Sequence, residues 1–243
     1  MITTVLFDLD GTLLPMDQDE FVNTYFGYLV KKVAPYGYEK DQLIATLWKG
    51  TAAMVRNDGT CPNQDRFWEV FAGVYGQERV ADKPIFDEFY GKEFDMARAV
   101  CPANPDAAKL IRALRAAGVR VVMATNPFFP MHAQRLRMDW AGLDPEDFAY
   151  ITSYENSCYC KPNPMYFTEL IEKLGLPPDE CLMVGNDAGE DTAALAAGIP
   201  VFLLTDCLIN KEGRDLSDLP QGGFPELFSY LEKACILPEA GIQ

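Results

Sequence analysis

The sequence predicts an α/β protein, a parallel sheet covered by helices, with an all-helical unit inserted after the first strand. Three observations carry this. An isolated apolar, β-branched run at residues 2–8 (ITTVLFD) ends in acidic residues and a glycine, as a buried strand does. Residues 15–100 show only helical periodicity. After Cys101-Pro102, strand-like and helix-like segments alternate with short links, which implies a parallel sheet with crossover helices.

Each element follows from local pattern. In 17–34 the apolar residues Phe21/Val22, Tyr25/Phe26, Leu29/Val30 and Val33 recur every three to four positions, and Asp17 with Glu20 resembles a capping box. A second helix carries Leu43/Ile44, Leu47/Trp48 and Met54/Val55. A third follows Asn63 with Phe67/Trp68, Val70/Phe71 and Val74/Tyr75. A fourth carries Ile85/Phe86, Phe89/Tyr90 and Phe94. Glycine- and proline-bearing breaks separate them, and their aromatic stripes read as the core of a small helical unit.

Beyond Pro102 the pattern predicts a helix over 106–117 closed by Gly118, a strand at 119–125 and a helix over 130–141. A short strand at 148–152 follows, then a helix over 164–174 ended by Gly175 and a strand at 181–185. A helix over 187–197 ended by Gly198, a strand at 200–205 and a helix at 224–234 complete the chain. Glycine just past a helix fits because it enters the left-handed conformation without steric cost. The expected division is a discontinuous core of 1–14 and 101–243 and a helical unit of 15–100.

The 243 residues suffice for such a core with a modest second unit, and 49% hydrophobic with 12% aromatic content supports a packed interior. A net charge of −15 without a basic block argues against a nucleic-acid partner. No apolar run approaches the roughly 20 residues that span a bilayer, and MITTVLFDLD lacks the form of an export leader. A soluble, cytoplasmic protein with no membrane partner is expected. Seven scattered cysteines suit reduced thiols, and Cys158-Tyr159-Cys160 has no second pair or histidine cluster to complete a zinc set. His132 is the sole histidine, which weighs against a serine- or cysteine-histidine mechanism.

In parallel sheets, ligand groups gather at the carboxyl ends of the strands. Here Asp8 and Asp10 close the first strand, Thr125 and Asn126 the second. Lys161 follows the third, and Asn186, Asp187 and Asp191 follow the fourth. DLDGTL at 8–13, Thr125 ending an apolar strand, Lys161 in CKPNP and the acidic VGNDAGED at 184–191 together resemble the four motifs of the haloacid dehalogenase superfamily. That resemblance covers the whole core and implies a Rossmann-like sheet, with the insert as a helical cap. The 35 residues between Thr125 and Lys161 leave room for one helix–strand unit, so a second cap is not expected there.

The resemblance implies a phosphohydrolase. Asp8 would be the nucleophile, forming an aspartyl-phosphate. Asp10 would protonate the leaving group and then activate water, its main-chain carbonyl binding metal. A carboxylate approaching a phosphate dianion is strongly repelled, so a hard divalent cation, Mg2+, is expected between them. Its ligands would be Asp8, Asp10 and Asp187, although Asn186 stands first after Gly185 where aspartate is commoner. Asp187 could equally cap a helix, and Asp191 would act through water or orient Lys161.

Thr125 would bind a phosphoryl oxygen and Lys161 would neutralise developing charge. Asn126 contacts substrate or shapes its loop, and Thr12 either only caps the turn or has a further role at the site. Gly11 permits the sharp turn beside these groups. Lys49 and Arg56 face either an anionic substrate tail or solvent. Leu14–Met16 and Val100–Pro102 would be hinges for cap closure, and the aromatic-rich cap could bury a homodimer surface.

The expected substrate is a small phosphorylated metabolite. Two other readings remain: a metal-independent dehalogenase, against which the second aspartate Asp10 argues, and a non-catalytic binding protein, against which the intact polar set argues.

Overall fold

A computed structural model describes residues 1–234, 236 and 237. Cys235 lies outside the described residues. The six described cysteines are all unpaired.

The sheet has six strands: β1 (Thr4–Phe7), β2 (Arg120–Met123), β3 (Tyr150–Ile151), β4 (Cys181–Gly185), β5 (Val201–Leu204) and β6 (Gln221–Gly222). They run in the order β3-β2-β1-β4-β5-β6 with every pairing parallel. β1 lies between β2 and β4, with Leu6 opposite Val122 on one side and Met183 on the other. This interior place explains why TVLF is buried at all four positions, since a strand covered on both faces has no solvent side.

The period-two alternation sorts those side chains onto two faces. Val5, Phe7, Val121, Met123 and Val184 join one apolar cluster together with residues of α5 (Pro105–Ala116) and α8 (Phe224–Lys233). Leu6, Val122, Met183, Val201 and Leu203 face the other way, onto α7 (Met165–Leu174) and the segment 191–199.

Four α-helices separate β1 from α5: α1 (Gln18–Val33), α2 (Lys40–Val55), α3 (Asn63–Tyr75) and α4 (Lys83–Gly91). Asp17 caps α1 by accepting the Glu20 N–H at 2.9 Å, and Glu39 caps α2. The expected fourth helix breaks at Gly91, and Glu93–Val100 continues as a 3-10 helix that turns Phe94 inward. The helix expected over 187–197 is also a 3-10 helix, confined to Asp191–Ala197. The Asp187 carboxylate bonds the N–H groups of Gly189 and Glu190, which diverts them from an α-helical ladder. β6 was absent from the sequence reading because Gln221–Gly222 has no apolar signature. It forms on the β5 edge alone.

The inserted helices pack on the sheet layer through α6 (Met131–Trp140) and one aromatic cluster. Phe94 is fully buried, and the rings of Tyr25, Tyr90, Phe129 and Trp140 lie 5.1–5.8 Å from its own. Trp140 donates its indole N–H to Asp95 at 2.8 Å. Replacing Phe94 with alanine is expected to cost about 3–5 kcal/mol of stability, read as a lower urea midpoint with an unchanged slope.

Candidate active site

Phe7 is the last residue of β1, and the next amide, that of Asp8, still bonds Val184 O of β4 at 3.0 Å. The Asp8 side chain therefore emerges mid-sheet, between the ends of β2 and β4. Gly11 turns the chain with φ +82°, and a Cβ there would overlap the Asn186 amide. Only glycine meets both demands.

The carboxylate of Asp8 is held at both oxygens. Lys161 Nζ donates to Oδ1 at 2.8 Å, and Thr12 Oγ1 approaches Oδ2 at 3.2 Å. Lys161 donates also to Asp191 Oδ1 at 2.6 Å. The lysine is 1% exposed and Asp191 is fully buried, so this is an interior ion triad. Burial works against the ammonium, but the adjacent Asp191 and Asp8 outweigh it and hold Lys161 well above its ordinary value. Burial raises the Asp8 carboxyl and Asp10 adds to the rise, while Lys161 opposes both. Burial and the Asp8 charge likewise raise Asp191 against the pull of Lys161.

Asp191 also accepts the Asp187 N–H at 2.9 Å, and a Cβ on Gly185 would overlap its carboxylate. Of the two expected roles for Asp191, the geometry shows a direct bond to Lys161. Asn126 is a loop-shaping residue here. Its amide brackets the main chain of Lys161, accepting the N–H at 3.2 Å and donating to the carbonyl at 3.2 Å. Thr125 is buried, and its carbonyl accepts hydrogen bonds from the hydroxyls of Thr152 (2.7 Å) and Tyr166 (2.9 Å).

Asn186 is 1% exposed, with Oδ1 at 2.9 Å from the Thr12 hydroxyl and Nδ2 donating to Cys207 O at 2.7 Å. The Thr12 hydroxyl thus faces both Asp8 and Asn186. Asp187 uses Oδ1 as a cap for two N–H groups, whereas Oδ2 accepts no hydrogen bond among the described residues. Asp8, Asp10, Thr125, Asn126, Asn186, Asp187 and Asp191 line one cavity of about 210 Å³, and Lys161 stands behind its wall. Lys49 and Arg56 are exposed and lie off that wall, as does His132. Cys160 is buried, bonded by the Asn63 amide, and desolvation pushes its thiol far up, so its neighbour Lys161 yields no thiolate there.

The sequence reading missed two residues. Arg137 on α6 is fully buried and pairs with Asp10 Oδ2 and Gln134 Oε1, with its guanidinium 4.2 Å from the Phe129 ring centroid. Asp10 Oδ1, Arg137 Nε and Gln134 Nε2 are buried without partners. A signal existed: Arg137 shares the apolar register of α6 with Ala133, Met138 and Trp140, where an unpaired charge would not be tolerated. Glu190 is the other. It lines the cavity and accepts the Asn126 amide at 2.8 Å, and burial, helped by Asp191 and Asp187, pushes its carboxyl up to about 7.

Comparison with known proteins adds to this geometry. Residues 2–198 match the family profile of the haloacid dehalogenase-like hydrolases. The chain is 26% identical over 224 residues to a phosphoglycolate phosphatase of Nitrosospira multiformis, covering 90% of this chain and 88% of that one. It is also 26% identical to the phosphoglycolate phosphatase of Escherichia coli K12, across 89% and 86% of the two chains. Among solved structures, a HAD phosphatase of Thermococcus onnurineus superposes with a TM-score of 0.57 at 21% identity, covering 95% of this chain and 98% of that one, a likeness of fold. No helix among the described residues is long and apolar enough to cross a membrane.

Glu190 generates a pH dependence in metal-free protein. Its carboxyl holds its proton more tightly when folded (about 7) than at the ordinary 4.5, so the associated stability is complete below about 4.5 and is lost as pH rises through about 7. With chelator present, Glu190→Gln is expected to flatten that decline by about 1–3 kcal/mol after allowance for partial solvent screening. Urea midpoints at about pH 5 and pH 8 measure the difference.

Proposed function

The chain belongs to the haloacid dehalogenase-like hydrolases, and we propose that it is a phosphoric monoester hydrolase acting on a small phosphorylated compound. One observation carries the reading: a strand-end carboxylate, Asp8, is fixed by Lys161 and Thr12 at a cavity wall with a second carboxylate, Asp10, two residues on. The relatives named as phosphoglycolate phosphatases support the same reaction type.

Asp8 attacks phosphorus, the bond to the leaving oxygen breaks, and Asp10 delivers a proton to that oxygen. Water then attacks the aspartyl-phosphate, gives its proton to Asp10, and frees phosphate and Asp8. Arg137 pairs with Asp10 Oδ2 and so orients the carboxyl group that gives and then takes the proton. Lys161 counters charge on the transferring phosphoryl group and opposes the rise that burial gives the Asp8 carboxyl. Thr125 contributes phosphoryl contacts from the end of β2.

The donor chemistry fits a hard divalent cation, Mg2+. Among the described residues no three His, Cys, Asp or Glu side chains form a self-sufficient metal cluster, but magnesium is typically held by one or two carboxylates plus substrate phosphate and water. Asp8, the free Oδ2 of Asp187 and the Asp10 carbonyl, which accepts no hydrogen bond among the described residues, supply oxygen donors. The amide oxygen of Asn186 adds a neutral one. When bound, the ion screens the repulsion between Asp8 and the phosphate. In this reading residues 15–100 act as a cap over a core of 1–14 and 101–243, hinged near Leu14–Met16 and Val100–Pro102.

Asp8→Asn is expected to reduce phosphate release from a phosphomonoester panel to background, and Asp10→Asn to lower kcat by about 10²–10⁴-fold. Chelator should abolish turnover and added Mg2+ restore it. Undiminished release from Asp8→Asn protein would refute the nucleophile assignment.

A further inference from the structure

The cavity that holds Asp8 extends away from the sheet into the inserted helices, and its two ends differ in chemistry. At the sheet end stand the carboxylates and amides described above. The helical wall carries Phe26, Trp48, Phe67 and Trp68 with Leu47 and Met54, beside the polar groups of Tyr25, Thr51 and Tyr90, and Phe128 and Phe129 line the cavity from the loop after β2. No lysine, arginine or histidine side chain lines the cavity among the described residues. Lys161 and Arg137 sit behind the wall, and their charges are already engaged by Asp8, Asp191 and Asp10.

The one charged residue on the helical side of the cavity is Asp87, on α4. The hydroxyls of Tyr25 and Tyr90 lie 3.2 Å apart, in hydrogen-bond contact with each other.

These features decide what the phosphoryl group can carry. A second anionic group, such as a carboxylate on the leaving alcohol, would surrender its hydration on entering this space. It would meet aromatic faces and an aspartate, and burial of an unpaired charge is strongly unfavourable. A cationic group would have one partly exposed carboxylate, Asp87, as its partner and would still have to shed its hydration, whereas an apolar group has no charge to desolvate and gains the burial of its own surface against the rings. The volume, about 210 Å³, exceeds the roughly 150 Å³ of an apolar cavity that takes up benzene. It therefore accommodates a single ring or a short branched chain beside the phosphoryl position.

We propose that the substrate is the phosphomonoester of an uncharged, apolar alcohol bearing a ring or short hydrocarbon chain, seated between the aromatic residues of α1, α2 and α3 and the 128–129 loop. This deepens the phosphatase reading and rests on it for turnover, though not for binding. Trp48 is 52% exposed and stacks edge-on to Phe26 at 5.5 Å, so it guards the open side and can be changed without opening the core. Thr51, one turn along α2, is partly exposed and lines the same cavity.

The test compares kcat/KM for benzyl phosphate, phosphoglycolate and phosphocholine with Mg2+ present, with acetyl phosphate as a general phosphoryl donor. Benzyl phosphate is expected to lead both others by about tenfold or more, the discrimination a hydrophobic pocket supports. Trp48→Ala should shrink that lead, chiefly by raising KM for benzyl phosphate. Thr51→Lys places a cation where none stands and should move the ratio toward phosphoglycolate by about tenfold.

Equal or greater kcat/KM for phosphoglycolate or phosphocholine in the unaltered protein would overturn the proposal. If none of the four compounds is cleaved, the hydrolase reading fails and the cavity is judged by binding. Calorimetry on Asp8→Asn protein with benzyl alcohol, glycolate and choline then decides: saturable binding of benzyl alcohol alone supports an apolar site. Its absence, or preferential binding of either other compound, refutes one.

Discussion

The structure turns on a single buried ammonium. Lys161 Nζ is shared between Asp8 and Asp191, 2.8 and 2.6 Å away, in a space almost sealed from water. A charge in that position without partners would be prohibitive, and either carboxylate alone would be equally so. The triad is tolerable because each member compensates the others. It ties together the end of β1, the loop after β3 and the turn after β4, elements far apart in sequence. The Asn126 amide on the Lys161 main chain and the Asp191 carboxylate on the Asp187 N–H extend the same constraint.

That constraint explains the local backbone. Gly185 is required because the Asp191 carboxylate occupies the space of a Cβ, and Gly11 because Asn186 does. The 3-10 geometry at 191–197 and the capping role of Asp187 belong to the same turn. Local helical propensity yields there to the electrostatic demand of the site, the kind of conflict expected where chemistry rather than packing sets the conformation.

A second ion pair, Arg137 with Asp10, links the site to the inserted helices. Arg137 rests on Phe129, whose ring also lies near Tyr25 and Phe94. The Asp10 carboxylate is therefore braced by the same aromatic cluster that joins the helical insert to the sheet. Position in the site and packing of the insert are coupled through one side chain. Aromatic residues of that insert line the cavity, so the elements that brace Asp10 also border the cavity.

The sequence by itself determined the parallel α/β class, the place of the helical insert and the clustering of Asp8, Asp10, Thr125, Lys161 and Asp191 at strand ends. Those follow from period, turn residues and the rule that parallel strands present their carboxyl ends together, all local or topological signals. Of the aromatic stripes it read as core, Phe21, Phe71, Phe86 and Phe89 are buried, whereas Trp48 is exposed and Phe26, Phe67 and Trp68 also line the cavity. Tertiary structure alone decided that Asn126 serves the Lys161 backbone, that Arg137 is buried against Asp10, that Glu190 reaches the cavity, and that no lysine, arginine or histidine lines that cavity among the described residues. It also separated the site from Lys49 and Arg56. Each of these depends on which side of a helix or loop turns inward against a partner distant in sequence. A short-range pattern carries no information about the identity of that partner, so charge pairing and cavity chemistry became visible only once the elements were packed.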